Sequence, residues 1–317
     1  MKGFFAFALK IGISGLLLYL AFRSTDLTAL LERIRQIDAI WAGAALALTI
    51  IQIALVAIRW HRIAALSGVT LNLRDAGRLT FIGAFFNQTL PSTVGGDAVR
   101  AWLLARLSGS WKNATFSVLA DRAVGLFWLA LLVTVCLPWS LQTIDNSLGR
   151  ATLFSISLAG VGGVIALFLV IRVMGNILLR WRLTRHLVQL MIVLRRALIA
   201  TRDSVLIGAI SIVVHTLTVF TAWLIASSIG ATISFGTAFI LIPPVILLSA
   251  VPISVAGWGV RESAMIAAFS YAGLSPNDGL AISILLGACL FVASAIGGPV
   301  WIASGMRAER KPAQGAH

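Results

Sequence analysis

Six long, nearly uncharged apolar runs dominate this chain, at residues 4–22, 41–58, 114–138, 152–173, 204–228 and 281–304. The hydrocarbon core of a bilayer is about 30 Å thick and a helix rises about 1.5 Å per residue, so about 20 such residues cross it. Each run therefore reads as one transmembrane helix. Composition agrees, since 59% of the 317 residues are hydrophobic and 11% are charged, against roughly 45–50% and 25% in soluble domains. A soluble globular domain is excluded. In the first run Lys10 interrupts the apolar core and no small-residue cleavage site follows Leu20, which favours a retained span over a cleaved signal peptide.

The chain carries 25 Lys and Arg against 11 Asp and Glu, a formal charge of +14. These cations fall between apolar runs, with no basic stripe carrying interleaved aromatics, so the expected partners are membrane lipids and not nucleic acid. Cytoplasmic loops carry the excess of Lys and Arg. With both termini inside, the inner segments hold 17 of them, Arg59, Arg62, Arg106 and Arg185 included, and the outer segments hold Arg23, Arg33, Arg35 and Arg150. This orientation implies a multi-pass protein of the cell (inner) membrane with cytoplasmic termini. Trp41, Trp60, Trp111, Trp139, Trp181 and Trp301 sit at span ends, where an aromatic belt is expected. Residues 180–202 mix six arginines with Leu187, Leu190, Met191, Val193, Leu194 and Leu198, the pattern of a basic interfacial helix.

Two further apolar regions are broken in the middle. Residues 77–107 are interrupted at 90–96 by Leu-Pro-Ser-Thr-Val-Gly-Gly, and residues 237–271 at 251–257 by Val-Pro-Ile-Ser-Val-Ala-Gly. Each half is too short to cross. Irregular backbone at membrane depth survives only where protein buries it or where it lines a wet cavity, so both regions read as re-entrant helical hairpins. Each follows two spans and precedes one, and the topology makes them enter from opposite sides. The expected fold is all-α and polytopic: six transmembrane helices plus two opposed hairpins, in an inverted repeat. A single membrane domain then covers 1–317, with halves at about 1–150 and 151–306 and a short polar cytoplasmic tail at 307–317. The tips support the repeat, because residues 90–100 align without gaps on 251–261 with Pro, Val, Gly, Val and Arg coincident. Paired interrupted segments in two inverted halves point to a transporter's binding site.

Charges at the bilayer centre cost about 2.5–3.5 kcal/mol each on insertion scales, so each needs a partner or a wet cavity. Four cations, Lys10, Arg100, Arg122 and Arg261, and three acids, Asp97, Asp121 and Glu262, fall at that depth. Asp97 and Arg100 share a helix face and form a local pair. Arg261 and Glu262 are adjacent and are expected to seek partners elsewhere, as are Asp121 and Arg122. Arg100 and Arg261 follow the glycine-rich breaks Gly95-Gly96 and Gly257 at half-helix starts, where free N–H groups and a guanidinium fork suit phosphate. The two arginines are expected to face one shared cavity. Asn87, Gln88, Thr93 and Ser254 at or near the tips are candidates for headgroup contacts. Asp97, Asp121 and Glu262 are candidates for proton coupling. His215, in mid-span, reads as hydrogen-bonded across helices.

The segments 87–100 and 251–262 resemble the two signature segments of the flippase-like membrane family that includes the N-terminal membrane domain of bacterial lysylphosphatidylglycerol synthases. The resemblance implies movement of a lipid between leaflets. It does not imply lysyl transfer, which a soluble C-terminal domain performs in the full-length synthases; here about a dozen polar residues follow Ser304. The reading is a flippase or transporter for an anionic or polyprenyl-type (glyco)lipid, without cofactor or metal. Cys136 and Cys289 lie inside apolar runs, and His61, His186, His215 and His317 lack ligand spacing. The alternatives are a membrane-embedded lipid-phosphate enzyme, or a non-transporting partner of a lipid-biosynthesis enzyme.

Overall fold

The computed structural model describes residues 12–20, 37–90, 94–144, 146–163, 182–251 and 254–305, with Arg23, Thr28, Arg35, Ile165, Ala166 and Leu169. Lys10, Thr93, Trp181 and the tail at 307–317 lie outside them. Helix is the only regular structure among the described residues. Residues 12–20 form α1. It is followed by α2 (Ala39–Leu66), α3 (Leu73–Thr89), α4 (Gly95–Ser108), α5 (Trp111–Thr143) and α6 (Ser147–Ser157). The second half holds α7 (Arg182–Arg195), α8 (Asp203–Ser228), α9 (Phe235–Ser249), α10 (Val260–Tyr271), α11 (Pro276–Ala295) and α12 (Gly297–Ala303).

Helix starts follow from local chemistry. Asp38, Asn72, Ser110, Asn146, Ser234 and Ser275 each place a side-chain oxygen on a first-turn N–H, meeting donors that have no partner within the helix. Four helical stretches are long and apolar enough to cross a membrane: Ala39–Leu66, Trp111–Thr143, Asp203–Ser228 and Pro276–Ala303. They match four of the six expected spans. The runs 4–22 and 152–173 lie only partly within the described residues, which there form α1, and α6 with the π-helical turn Leu158–Gly162. Pro138 does not end its span, because α5 carries it as an interior residue and continues to Thr143.

Both interrupted regions are two short helices around a break, α3 and α4 in one and α9 and α10 in the other, and the two members of each pair pack together. The two helix pairs make corresponding contacts. The long helices α2 and α8 lie along one another, α3 packs on α11 as α9 packs on α5, and α4 packs on α5 as α10 packs on α11. Each hairpin has its own core. One gathers Leu79, Ile82, Leu103 and Leu104 around Trp60; the other gathers Leu241, Ile242, Met265 and Phe269. The apolar side of α7 is not only interfacial: Met191, Val193 and Leu194 pack on Ile63, Val124 and Ile207 of the spans.

Gly96 permits the close approach of α3 and α4. Its N–H donates to Asn87 Oδ1 at 2.9 Å, and a Cβ there would stand 2.7 Å from the Asn87 backbone nitrogen and against the Gly83 carbonyl. Gly96→Ala is expected to cost about 1–3 kcal/mol through overpacking. Gly43→Ala, in exposed helix with open space around it, serves as the control and loses nothing. Thermal unfolding in detergent compares the two, and equal midpoints would refute the tight hairpin.

Candidate functional site

A cavity of about 320 Å³ lies among α2, α3, α4, α5 and α8, with Ile246 of α9, Ala250 and Leu290 of α11 on its wall. Its charged lining is Arg59, Asp97, Arg100, Asp121 and Arg122. Asp121, 2% exposed, is the centre of this group. Its Oδ1 accepts from Arg59 Nε at 2.9 Å and its Oδ2 from Arg100 Nη2 at 3.0 Å. Arg59 Nη1 donates onward to Ser211 Oγ at 3.2 Å. Arg100 also lies 3.4 Å from Asp97 Oδ1 and stacks over the Trp60 ring at 4.4 Å, while Arg122 Nε donates to Asp97 Oδ2. Three guanidinium groups face two carboxylates, so the cluster carries a formal charge of +1. Removing these groups from water is unfavourable unless charges are matched, and the alternation Arg59–Asp121–Arg100–Asp97–Arg122 sets each carboxylate between two guanidinium groups.

The uncharged polar wall comes from α2, α3 and α8. Gln52 donates to Thr221 Oγ1 at 3.0 Å and accepts from Thr218 Oγ1 at 2.8 Å. His215 Nε2 meets the Gly125 carbonyl at 3.0 Å, the cross-helix bond read from the sequence. Thr49, Thr80 and Asn87 complete the wall.

Several expectations are corrected here. Arg59, counted as a cytoplasmic loop charge, lies inside α2 and is 5% exposed, because the helix runs two turns past the apolar run. Trp60 is not a belt residue: it is fully buried, beneath Arg100, and donates to Ser117 Oγ at 3.3 Å. Trp41, Trp111 and Trp139 are exposed, as a belt requires. Arg100 and Arg261 do not share the cavity, which Arg100 lines and Arg261 does not. Nor do Arg261 and Glu262 seek distant charges. Arg261 Nη2 reaches Glu262 Oε1 at 2.8 Å, and Ser283 joins both, accepting from Arg261 Nε at 3.1 Å and donating to Glu262 Oε1 at 3.0 Å. Glu262 Oε2 caps α10 by accepting from Gly259 N–H at 2.6 Å. The Arg261 guanidinium lies 4.9 Å from the Trp258 ring centre.

Of the other expected site residues, Asn87, Asp97, Asp121 and Arg122 line the cavity. Gln88, Gly95, Gly96, Ser254 and Gly257 do not. Gly96 acts through its N–H on Asn87. Ser254 is fully buried, and the neighbouring Val255 N–H donates to Ser14 Oγ of α1 at 2.8 Å. Thr49, Gln52, Arg59 and Thr80, which also line the cavity, are not among the candidates read from the sequence. A signal existed, since positions 49, 52 and 59 fall on one helix face within an otherwise apolar span.

Comparison with known proteins bears on this geometry. No solved structure matches the chain. A protein from Methanothermobacter thermautotrophicus described as a UPF0104 membrane protein is 26% identical over 280 residues, covering 80% of this chain and 82% of that protein. The family model for the lysylphosphatidylglycerol synthase TM region matches residues 7–298, which takes in both helix pairs and all of the membrane-length helices but the last residues of Pro276–Ala303. With its membrane-length helices, this multi-pass membrane protein belongs to the family of the lysylphosphatidylglycerol synthase TM region.

Proposed function

We propose that this protein moves a lipid with an anionic headgroup, or a lipid-linked phosphate, between leaflets, the headgroup passing through the cavity while the tails stay in the bilayer. The observation that carries this reading is a polar cavity of net positive charge among helices of membrane length. A soluble headgroup site would need no such surroundings, and a purely structural ion cluster would leave no space of about 320 Å³ beside it. Both hairpins contribute to the wall, Asn87, Asp97 and Arg100 from the first and Ile246 and Ala250 from beside the second break. An inverted repeat with re-entrant hairpins fits this placement and the matched packing of the two halves. Cytoplasmic termini follow from the distribution of Lys and Arg.

Reconstitution in liposomes tests the reading. Fluorescent lipids bearing one phosphate are expected to become accessible to an external quencher faster in protein-containing vesicles than in empty ones, and neutral diacylglycerol analogues are not expected to compete. Turnover of a lipid phosphate without movement would favour a membrane enzyme; neither activity would favour a non-transporting partner. Topology is checked on a background lacking Cys136 and Cys289. A cysteine at Asn146 is expected to label from outside and one at Thr201 from the cytoplasm, and the reverse pattern would overturn the inverted-repeat reading.

A further inference from the structure

The five charges of the cavity are not equivalent. Both oxygens of Asp121 are held, by Arg59 and Arg100, and the three side chains are 2%, 7% and 5% exposed. Arg59 is tied onward to Ser211, and Arg100 is held against Trp60. Displacing any of the three leaves a buried charge without its counter-ion. Arg122 differs, since its side chain is 47% exposed while it pairs with Asp97. Asp97 differs too. If it released Arg122 it would keep Arg100 at 3.4 Å and its place in the first turn of α4, where the helix dipole favours an anion. The Arg122–Asp97 pair opens without stranding a buried charge, and among the links of the cluster it is the one whose guanidinium is half-exposed.

Two buried polar atoms on the cavity wall are unmatched. Thr80 Oγ1 and Arg100 Nε are buried atoms of residues that line the cavity, and neither has a hydrogen-bond partner among the described residues. Thr80 and Arg100 are 5% and 4% exposed. Buried donors in native structures have partners, and each exception calls for an explanation. A phosphate group spreads its acceptor oxygens tetrahedrally and can meet donors from several directions, whereas the two oxygens of a carboxylate lie in one plane.

We propose that Arg122 receives the phosphate oxygens of an incoming headgroup in exchange for Asp97, with Thr80 and Arg100 Nε supplying further donors, and that the preferred ligand is a singly charged phosphodiester. This deepens, and rests on, the reading of the cavity as a headgroup site. Asp97 is a tethered competitor that holds Arg122 when the site is empty and is displaced only by an anion making more bonds. Phosphate does so by adding Thr80 Oγ1 and Arg100 Nε to the guanidinium fork that carboxylate and phosphate both fit. The charge count sets the class: a monoanion brings the +1 cluster to zero, whereas a dianion overshoots to −1. The cavity volume exceeds what one phosphate fills and leaves room for a small polar substituent on the diester.

Calorimetric titration of the purified protein in neutral detergent, with dihexyl phosphate as the tailed diester and inorganic phosphate as the untailed alternative, tests this. The expected order is dihexyl phosphate at least tenfold tighter than inorganic phosphate. Asp97→Asn is expected to bind dihexyl phosphate about tenfold more tightly than the parent, and Arg122→Gln about tenfold more weakly, with Arg122→Lys in between. Thermal midpoints identify folded variants; if Asp97→Asn does not fold, the half-exposed Arg122→Gln decides alone. Unchanged affinity in Arg122→Gln, unchanged or weaker affinity in a folded Asp97→Asn, or tighter binding of inorganic phosphate would overturn the proposal. Binding as expected without lipid movement in vesicles would remove transport and leave the exchange site. Lipid movement with unaltered binding in Arg122→Gln would do the opposite.

Discussion

Asp121→Ala is expected to cost about 3–5 kcal/mol of stability, the penalty for removing one partner from a buried ion group. Asp121 accepts from two arginines that together link α2, α4 and α5, and both arginines are buried, at 5% and 4% exposure. Net stabilities of folded proteins are of similar size, about 5–15 kcal/mol, so the variant should show a much lower thermal midpoint and a poor membrane yield. The loss comes from unmatched charge, not from a strong ion pair. Removing charge on both sides, as in Arg59→Met with Asp121→Leu, should therefore recover part of it, because apolar replacements of similar volume are often neutral. A midpoint for Asp121→Ala equal to the parent's would show that these arginines are hydrated.

Arg261→Ala is expected to produce a loss of the same order, about 3–5 kcal/mol, for the same reason. Glu262 has no exposed surface and would lose its only cation among the described residues, keeping the Gly259 N–H and the Ser283 hydroxyl. The functional readout separates the two arginines. Lipid movement per folded molecule should persist in Arg261→Ala and fall at least tenfold in Arg122→Gln, whose half-exposed side chain contributes little to stability. The paired change Arg261→Met with Glu262→Gln should restore much of the midpoint. If folded Arg261→Ala protein moves no lipid, the second hairpin takes part in headgroup binding after all.

The arginines matched in the alignment thus have different settings despite a shared local pattern. Both follow Pro-x-x-Val-x-Gly-x-x-Val-Arg spacing. Arg100 is three residues after an aspartate and meets Asp121 from another helix, whereas Arg261 precedes a glutamate that caps its own helix. The residue after each arginine, Ala101 or Glu262, decides whether a local counter-ion is at hand.

Apolar run length and the placement of Pro and Gly determined, from the sequence alone, where four membrane-length helices lie and where the two helix pairs break. Both are properties of a single segment: hydrocarbon thickness sets the one, and backbone dihedral and hydrogen-bonding limits set the other. The membrane class followed from them, and the resemblance to the family rested on the segments 87–100 and 251–262. Where the cavity sits, and which arginine meets which carboxylate, only the tertiary structure decided. Arg59 and Asp121 are 62 residues apart and meet because α2 and α5 pack together, and the end of an apolar run concealed that α2 continues past Arg59. Arg261 and Glu262, adjacent in the chain, are expected to find partners elsewhere, yet the guanidinium reaches its neighbour's carboxylate around the helix start. Segment composition sets how much of a helix must be buried, but the helix's rotation about its axis and its crossing with neighbours set which side chains touch. Those angles arise from packing over the whole surface of each helix, so no local stretch of sequence contains them.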